Sequence, residues 1–173
     1  EISISLGGEP KTLDPTLNSL SFGSIYMIHF FEGLTKKDKN DEVTAGMAKS
    51  WDISEDGLTY TFYLRDDAKW SDGEKVKAQD FEYALKRAAD PKTAAAYSHM
   101  LNVVKNGSLV ISGKTNVDAL GVKAIDDSTL EIVLENPTPY FLEYLSVSSA
   151  YFPVRKDIVE KYGDDWSRNP ETY

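Results

Sequence analysis

The stretch from Ala48 to Arg87 changes its hydrophobic period from two to about 3.6 residues, and this change limits the folds open to the chain. Glu55-Asp56-Gly57 supplies turn residues between two apolar runs. After the turn, apolar and polar residues alternate, which predicts a half-buried strand whose inner face is Leu58, Tyr60, Phe62 and Leu64. The next apolar stripe has helical spacing and comprises Phe81, Ala84, Leu85 and Ala88. The segment therefore predicts a hairpin followed by an amphipathic helix.

A second hairpin is predicted further along the chain. Val122 to Ile125 turns through Asp126-Asp127-Ser128 into Thr129 to Leu134, and both arms are rich in residues that favour strands. Two hairpins with several helices, and without an internal repeat or a Gly/Ser linker, indicate a mixed α/β (α+β) fold rather than a bundle or a sandwich.

Three further helices are expected from the apolar pattern. The dense apolar run from Ser24 to Phe31 predicts a short buried helix before Gly33. Pro91 breaks the helical region that starts at Ala78, and we expect a second helix from Thr93 to Leu101. The third helix is predicted between Pro153 and Gly163, from Arg155 to Tyr162.

The first 24 residues have a different character. Ile2, Ile4 and Leu6 alternate with polar residues and predict a short strand. From Glu9 to Ser24 the chain is rich in Pro, Ser, Asn and Gly and lacks helical spacing, which predicts a long irregular loop of the kind that often carries function.

Composition removes several classes of function. The 19 lysine and arginine residues face 28 aspartate and glutamate residues, so the net charge is −9, which argues against a nucleic-acid partner. The absence of cysteine excludes disulfides and thiolate chemistry. No apolar run approaches the roughly 20 residues of a membrane-spanning helix.

Candidate catalytic and metal-ligating residues have better structural explanations. His29 lies in an apolar run and His99 on a predicted helix, without the partners that histidine catalysis or metal binding needs. The acidic cluster Asp38 to Glu42 lacks the central glycine and the terminal glutamate of a calcium loop, so we interpret it as a surface turn. Four aromatic residues at core positions are assigned to packing: Trp51, Tyr60, Phe62 and Phe81. We therefore expect a protein that is not an enzyme and has no cofactor.

An ordered series of motifs runs along nearly the whole chain. They are Leu13-Asp14-Pro15, Phe31-Glu32-Gly33-Leu34, Ser50-Trp51, Asp56-Gly57-Leu58-Thr59-Tyr60-Thr61-Phe62, Leu64-Arg65, Lys69-Trp70-Ser71-Asp72-Gly73, Asp80-Phe81, Ala89-Asp90-Pro91, Gly121-Val122-Lys123-Ala124, Pro137-Thr138-Pro139-Tyr140-Phe141 and Glu160-Lys161-Tyr162-Gly163. This series resembles the extracytoplasmic solute receptors of ABC importers, the family of oligopeptide-, dipeptide- and nickel-binding proteins, and within it the oligopeptide receptors.

The resemblance implies a periplasmic-binding-protein-like fold of which this chain is the N-terminal portion, because family members are much longer. It implies that residues 1–34 form part of a large N-terminal lobe and residues 35–165 an inserted smaller subdomain of sheet and helices. Residues 166–173 would return to the large lobe, and the C-terminal lobe would be absent. A fragment with one wall of a cleft is expected to bind peptide weakly or not at all.

The resemblance also suggests ligand contacts. Gap-free matching between Leu13-Asp14-Pro15 and Phe31-Glu32-Gly33-Leu34 puts Ser19, Leu20 and Ser21 at ligand-contact positions within a strand-like loop, where main-chain groups can bind an extended peptide. The best-known oligopeptide receptors have an acidic residue at the position of Ser19, so main-chain contact at Ser21 is the safer expectation. Tyr97 matches a cleft-facing tyrosine, and the competing interpretation is that it packs its helix on the sheet.

The implied function is capture of short oligopeptides for import, with ABC permease subunits as partners and a monomeric receptor. Alternatives are a receptor for another solute, such as a dipeptide or a nickel chelate, and a signalling or adhesion protein on the same fold. The implied location is extracytoplasmic, periplasmic or at the cell surface, with a lipoprotein anchor in the full-length form. One local departure is Lys77, where many relatives have a helix-capping Thr, so we expect the helix at Ala78 to start less firmly.

Overall fold

Strands and helices follow one another in runs along the computed structural model, which describes residues 8–168. In chain order the strands of this part are β1 (Thr35–Lys37), β2 (Val43–Ala45), β3 (Ala48–Ile53), β4 (Thr59–Leu64), β5 (Val122–Ala124) and β6 (Thr129–Val133). The α-helices are α1 (Ser21–Phe30), α2 (Ala78–Ala89), α3 (Gly107–Ile111), α4 (Phe141–Val147) and α5 (Lys156–Tyr162). The predicted mixed fold of helix and sheet is confirmed.

Four strands form an antiparallel sheet in the order β3-β4-β6-β5, and β1 pairs with β2 in a separate two-stranded ribbon. Both predicted hairpins are confirmed. The first turns at Gly57, whose φ of 69° lies in the left-handed region, and the Gly57 N–H donates to the Ser54 carbonyl at 2.8 Å. The second closes where the Ile125 N–H donates to the Thr129 carbonyl at 2.8 Å.

The core lies between this sheet and α2, which packs against β5 and β6. The residues predicted for the inner face of β4 are buried at Tyr60, Phe62 and Leu64. All four residues of the predicted helical stripe are also buried, namely Phe81, Ala84, Leu85 and Ala88. The sequence pattern therefore identified both sides of the main helix–sheet contact.

The start of α2 depends on Asp80 rather than on the side chain of Lys77. Asp80 Oδ2 accepts hydrogen bonds from the Lys77 N–H at 2.9 Å and from Trp70 Nε1 at 3.1 Å. A lysine ammonium has no acceptor, so only this half of a capping box can form. The helix thus begins at Ala78 with one side-chain cap where a threonine at position 77 could supply a second.

Two predicted helices differ from the observed structure. The predicted short buried helix at Ser24 to Phe31 is observed as α1, which starts three residues earlier and is largely exposed, with Phe30 64% accessible and Ile28 55%. The helix predicted from Thr93 to Leu101 is wrong. Ala94 has a left-handed φ of 52°, which ends a 3-10 turn at Pro91–Thr93, and a second 3-10 turn occupies Ser98–Val103.

The β1–β2 ribbon and helix α4 were not anticipated. The β1–β2 ribbon encloses the acidic turn, where Asp38 Oδ1 accepts hydrogen bonds from the N–H groups of Asn40 and Glu42 at 2.8 and 3.0 Å. The predicted surface turn is therefore confirmed. Helix α4 packs against β1, and Thr35 Oγ1 donates to the Leu142 carbonyl at 2.8 Å.

The last predicted helix is confirmed as α5, and Gly163 follows it with a φ of 60°. The strand predicted at Ile2 to Leu6 lies outside the described residues. Within residues 8–168, no helix combines the length and the apolar character needed to cross a bilayer.

Candidate functional site

The segment that precedes α1 is irregular but closely hydrogen-bonded. Asp14 is fully buried, and its Oδ1 accepts a hydrogen bond from the Thr16 N–H at 2.9 Å. The Leu17 N–H donates to the Asp14 carbonyl at 3.2 Å, so the chain turns tightly after Asp14. The predicted long loop therefore has a defined conformation.

Asn18 holds the far end of this segment. Its side chain is only 3% exposed, its Oδ1 accepts from the Leu20 N–H at 3.3 Å, and its Nδ2 donates to Ser24 Oγ at 3.0 Å. A Cβ on Gly23 would overlap Asn18 Oδ1. Glycine at position 23 thus allows the Asn18 amide to lie against the first turn of α1.

Ser19, Leu20 and Ser21 stand at the surface between these anchors. Ser19 and Ser21 are exposed and Leu20 is half-buried, with an extended backbone at φ −120° and ψ 138°. The expected strand-like loop ends at Leu20, because Ser21 is the first residue of α1. The Ser21 N–H belongs to the first helical turn, where main-chain donors have no acceptor inside the helix.

Tyr97 lies on the turn between the two 3-10 segments. Its side chain is 37% exposed, and its ring centroid lies 5.9 Å from that of His99. The Tyr97 carbonyl accepts from the Met100 N–H at 3.0 Å, and the Met100 carbonyl accepts from the buried Tyr151 hydroxyl at 2.6 Å. The core therefore supports the backbone of this turn while the Tyr97 ring faces outward. The competing interpretation places Tyr97 on a helix packed against the sheet, but two 3-10 segments stand in place of that helix.

The structure does not join Tyr97 to the serine segment by any hydrogen bond or ring contact within residues 8–168. None of the four predicted contact residues lines the cavities that form beside Trp70, beside Lys86 and beside Arg65. The predicted residues thus form two separate exposed patches.

The most apolar of these cavities has a volume of about 470 Å³ and was not anticipated from the sequence. It is lined mainly by aromatic and aliphatic side chains, namely Leu13, Phe30, Phe31, Met47, Trp70, Val76, Pro153, Ile158 and Trp166. Leu13, Phe31 and Trp70 each belong to one of the ordered motifs, but nothing in the sequence places these motifs side by side. The cavity forms only when six separate parts of the chain come together, and no local pattern predicts such a meeting.

Two of the charged residues that line this cavity, Asp72 and Arg155, form an ion pair. Arg155 forms ion pairs with Asp72 and Asp157, and hydrogen bonding to Asp157 is the main cause that raises the Arg155 pKa. The pKa of Asp72 is lowered mainly by the Glu74 N–H and further by Arg155, and Arg155 also lowers the pKa of Asp157. These groups stay ionised near neutral pH and supply no base or acid of shifted reactivity there.

The two histidines are both exposed. His29 Nδ1 lies 2.7 Å from the Ile25 carbonyl, and His99 lies beside Tyr97. Within residues 8–168, no three His, Asp or Glu side chains are grouped as metal binding requires.

Residues 42–173, which are more than half of the chain, match the family model of bacterial extracellular solute-binding proteins, family 5 Middle. The chain therefore belongs to the bacterial extracellular solute-binding proteins of family 5. The expected resemblance is confirmed.

Individual relatives agree with this assignment. The dipeptide-binding protein of Lactococcus lactis is 38% identical over 98% of this chain and 31% of its own length. The oligopeptide-binding protein OppA of Bacillus subtilis is 41% identical over 97% of this chain and 30% of its own length. The Haemophilus influenzae OppA complex with the peptide RPPGFSPFR superposes with a TM-score of 0.92 at 38% identity, covering 97% of this chain and 33% of that one. The chain thus spans about a third of the length of these relatives, and the periplasmic-binding-protein-like fold is confirmed.

Proposed function

We propose that this chain is the N-terminal part of an extracytoplasmic receptor that captures short oligopeptides for an ABC importer. The observation that carries the proposal is the likeness of almost the whole chain to a solved OppA–peptide complex. The relatives are named as binding proteins, and the described residues offer exposed main chain and an outward tyrosine. The role is binding rather than catalysis.

The domain assignment belongs to the same proposal. Residues 1–34 and 166–173 contribute to a large lobe, and residues 35–165 form the smaller subdomain. The four-stranded sheet with α2 supports this division, because all of its strands and that helix lie within residues 35–165.

The peptide contacts are assigned to Ser19, Leu20, Ser21 and Tyr97. The extended backbone at Leu20 and the N–H at the start of α1 suit main-chain bonding to an extended peptide, which needs no particular side chain. The exposed ring of Tyr97 suits stacking on peptide backbone. Both modes fit a receptor that accepts varied sequences.

The partners follow from this role. The receptor delivers peptide to ABC permease subunits, acts as a monomer and works outside the cytoplasm, held by a lipid anchor in its full-length form. The membrane partner supplies the transport step that a binding protein cannot perform.

Calorimetric titration of a mixed pool of short peptides longer than dipeptides tests the proposal. The pool is titrated into this 173-residue chain and into the chain extended through its natural reading frame. We expect heat of binding with the extended form and little with the shorter one, because one wall of a cleft loses much of the burial that a ligand needs. Binding by neither form would instead favour a receptor for another solute.

Three variants of the extended form test the assigned contacts. Tyr97→Ala should weaken peptide binding by about tenfold and Tyr97→Phe much less, because the ring rather than the hydroxyl makes the contact. Ser19→Ala should leave affinity nearly unchanged, since the contact there is main chain. Equal affinities of the Tyr97→Ala variant and the unsubstituted receptor would remove Tyr97 from the site.

A further inference from the structure

The carboxylate of Asp14 joins three stretches of chain that lie far apart in sequence. Arg87 of α2 donates from Nη1 to Oδ1 at 3.0 Å and from Nη2 to Oδ2 at 2.7 Å. Trp166 Nε1 donates to Oδ2 at 2.9 Å. With the Thr16 N–H, the buried carboxylate accepts four hydrogen bonds from the described residues. A carboxylate offers about four lone-pair sites, so its acceptor capacity is used.

Further hydrogen bonds strengthen this junction, by which we mean Asp14 with Arg87 and Trp166. Thr12 Oγ1 lies 3.2 Å from Ser167 Oγ, and Arg168 Nη2 donates to the Lys11 carbonyl at 2.7 Å. The Asp14 N–H donates to Thr12 Oγ1 at 3.0 Å. Residues 11–14 are therefore fixed against residues 166–168 at three points.

The junction leads directly to the proposed peptide contacts. Only five positions separate Asp14 from Ser19, and the Leu17 N–H bonds back to the Asp14 carbonyl. Asn18 then binds the Leu20 N–H and the Ser24 hydroxyl. Local hydrogen bonds thus connect Asp14 with the exposed segment and with the start of α1, so the position of Asp14 determines where they lie.

We infer that Asp14 is a positioning residue of the peptide site. Its two-point bond to Arg87 fixes the distance and the angle between the exposed segment at Ser19–Ser21 and helix α2. The guanidinium fork sets an orientation that a lysine ammonium does not. The inference rests on the proposed function, because it concerns the same site.

In the proposed domain arrangement, this junction connects the large lobe with the smaller subdomain. Asp14 and Trp166 belong to the stretches assigned to the large lobe, and Arg87 belongs to the smaller subdomain. Arg87 is only 11% exposed, so the pair is shielded from solvent and competing ions. This makes the pair a fixed reference point across the boundary of the two units.

The test uses the extended receptor with the substitutions Arg87→Lys and Asp14→Asn. Arg87→Lys keeps the charge and removes the fork, whereas Asp14→Asn places a second donor against Arg87 and Trp166. We expect peptide affinity to fall at least tenfold in both. Amide hydrogen exchange at Leu20 and Ser24 should accelerate at least tenfold, while the amides of β4 stay protected.

Val110→Ala is the matched control, because Val110 is fully buried in α3 and belongs to a different hydrophobic cluster from Trp166. It should lower the melting temperature without changing peptide affinity or selective exchange at Leu20 and Ser24. Trp166→Phe removes one donor while keeping a large ring, and it should produce the same effects at smaller size. This milder variant keeps the test available if Arg87→Lys does not fold.

An affinity in Arg87→Lys and Trp166→Phe equal to that of Val110→Ala would overturn the inference. So would exchange that rises at Leu20 only in step with β4, since that indicates general loss of stability. If the unsubstituted receptor binds no peptide, the proposed function fails. In that case the peptide-site inference fails with it, and the exchange readout tests only whether Asp14 holds the Ser19–Ser21 segment in place.

Discussion

At the scale of single residues, the segment before α1 depends on side chains that replace regular secondary structure. Asp14 and Asn18 are polar and buried, and each satisfies main-chain N–H groups in its neighbourhood. Buried polar groups of this kind cost free energy unless their hydrogen bonds are made. The conformation of the exposed segment therefore depends on a few specific contacts.

Gly23→Ala should disturb one of these contacts. The added Cβ overlaps Asn18 Oδ1, so the amide must move and its bonds to Leu20 and Ser24 weaken. We expect the free energy of unfolding to fall by about 1–3 kcal/mol, as overpacking typically costs. Urea denaturation followed by circular dichroism measures this, with Ser19→Ala at an exposed position as the control. A Gly23→Ala variant as stable as Ser19→Ala would contradict the contact.

Asp80 gives a pH dependence of defined sign. Burial raises the pKa of its carboxyl above the ordinary 3.8, partly offset by the bonds from the Lys77 N–H and Trp70. A raised pKa in the folded state means that folding favours the protonated Asp80 carboxyl. The stability that this carboxyl contributes is therefore present below its ordinary pKa and is lost as pH rises through its folded-state pKa. Asp80→Asn stays neutral and should therefore gain stability relative to the parent chain between pH 3 and pH 7.

Asp56→Asn should lose stability relative to the parent chain between pH 3 and pH 7, the opposite of Asp80→Asn. The Ser54 hydroxyl and the Leu58 N–H bond to the Asp56 carboxylate and lower its pKa. Stability from a lowered pKa is present above the ordinary value and is lost as pH falls. Urea denaturation at both pH values compares the two variants with the parent chain. The same direction for both variants would show that these local causes are wrong.

At the scale of elements, the contact between α2 and the sheet carries much of the stability. Leu85→Ala removes a fully buried side chain from this contact and should lower the free energy of unfolding by about 2–5 kcal/mol. Gln79→Ala, on the exposed side of the same helix, should change it by less than about 0.5 kcal/mol. Denaturant midpoints of the two variants provide the comparison. A similar loss of unfolding free energy in both variants would contradict the assignment of the core to this contact.

The turn that carries Tyr97 is not helical, because the left-handed backbone at Ala94 interrupts the helix predicted there. Ala94 adopts φ 52°, a conformation that L-residues other than glycine, asparagine and aspartate rarely take. Ala94→Gly should raise the free energy of unfolding by about 0.5–1 kcal/mol, because relief of this strain exceeds the added chain entropy. Ala96→Gly, two residues further at an exposed position, is the control and should be neutral or slightly destabilising. Destabilisation by Ala94→Gly, measured by thermal unfolding, would contradict the left-handed assignment.

At the scale of the whole molecule, the Asp14 junction predicts a single unfolding transition. Residues 11–14 and 166–168 are bonded to each other and to α2, so the described ends of the chain should not unfold before the sheet. In a Trp51→Phe, Trp70→Phe background, the fluorescence of Trp166 should follow the same urea curve as circular dichroism. A transition of Trp166 at lower urea concentration would mean that the two units unfold independently.

The sequence by itself determined the elements in which neighbouring residues cooperate. Alternation predicted β4, helical spacing predicted α2, and turn residues predicted both hairpins, because these patterns depend on which face of a local structure is buried. The ordered motifs likewise indicated the family, and they also directed attention to Ser19, Leu20, Ser21 and Tyr97. Contact of these four residues with peptide remains a prediction.

Only the tertiary structure decided the features that join distant residues. The exposure of α1, the left-handed turn at Ala94 and the apolar cavity all depend on what packs beside them rather than on local pattern. Asp14 and Arg87 are 73 positions apart, and Asp14 and Trp166 are 152 apart. Each of these residues alone reads as an ordinary loop or surface residue. Their common burial is a property of the folded chain, because long-range contacts form only when separate elements are brought together.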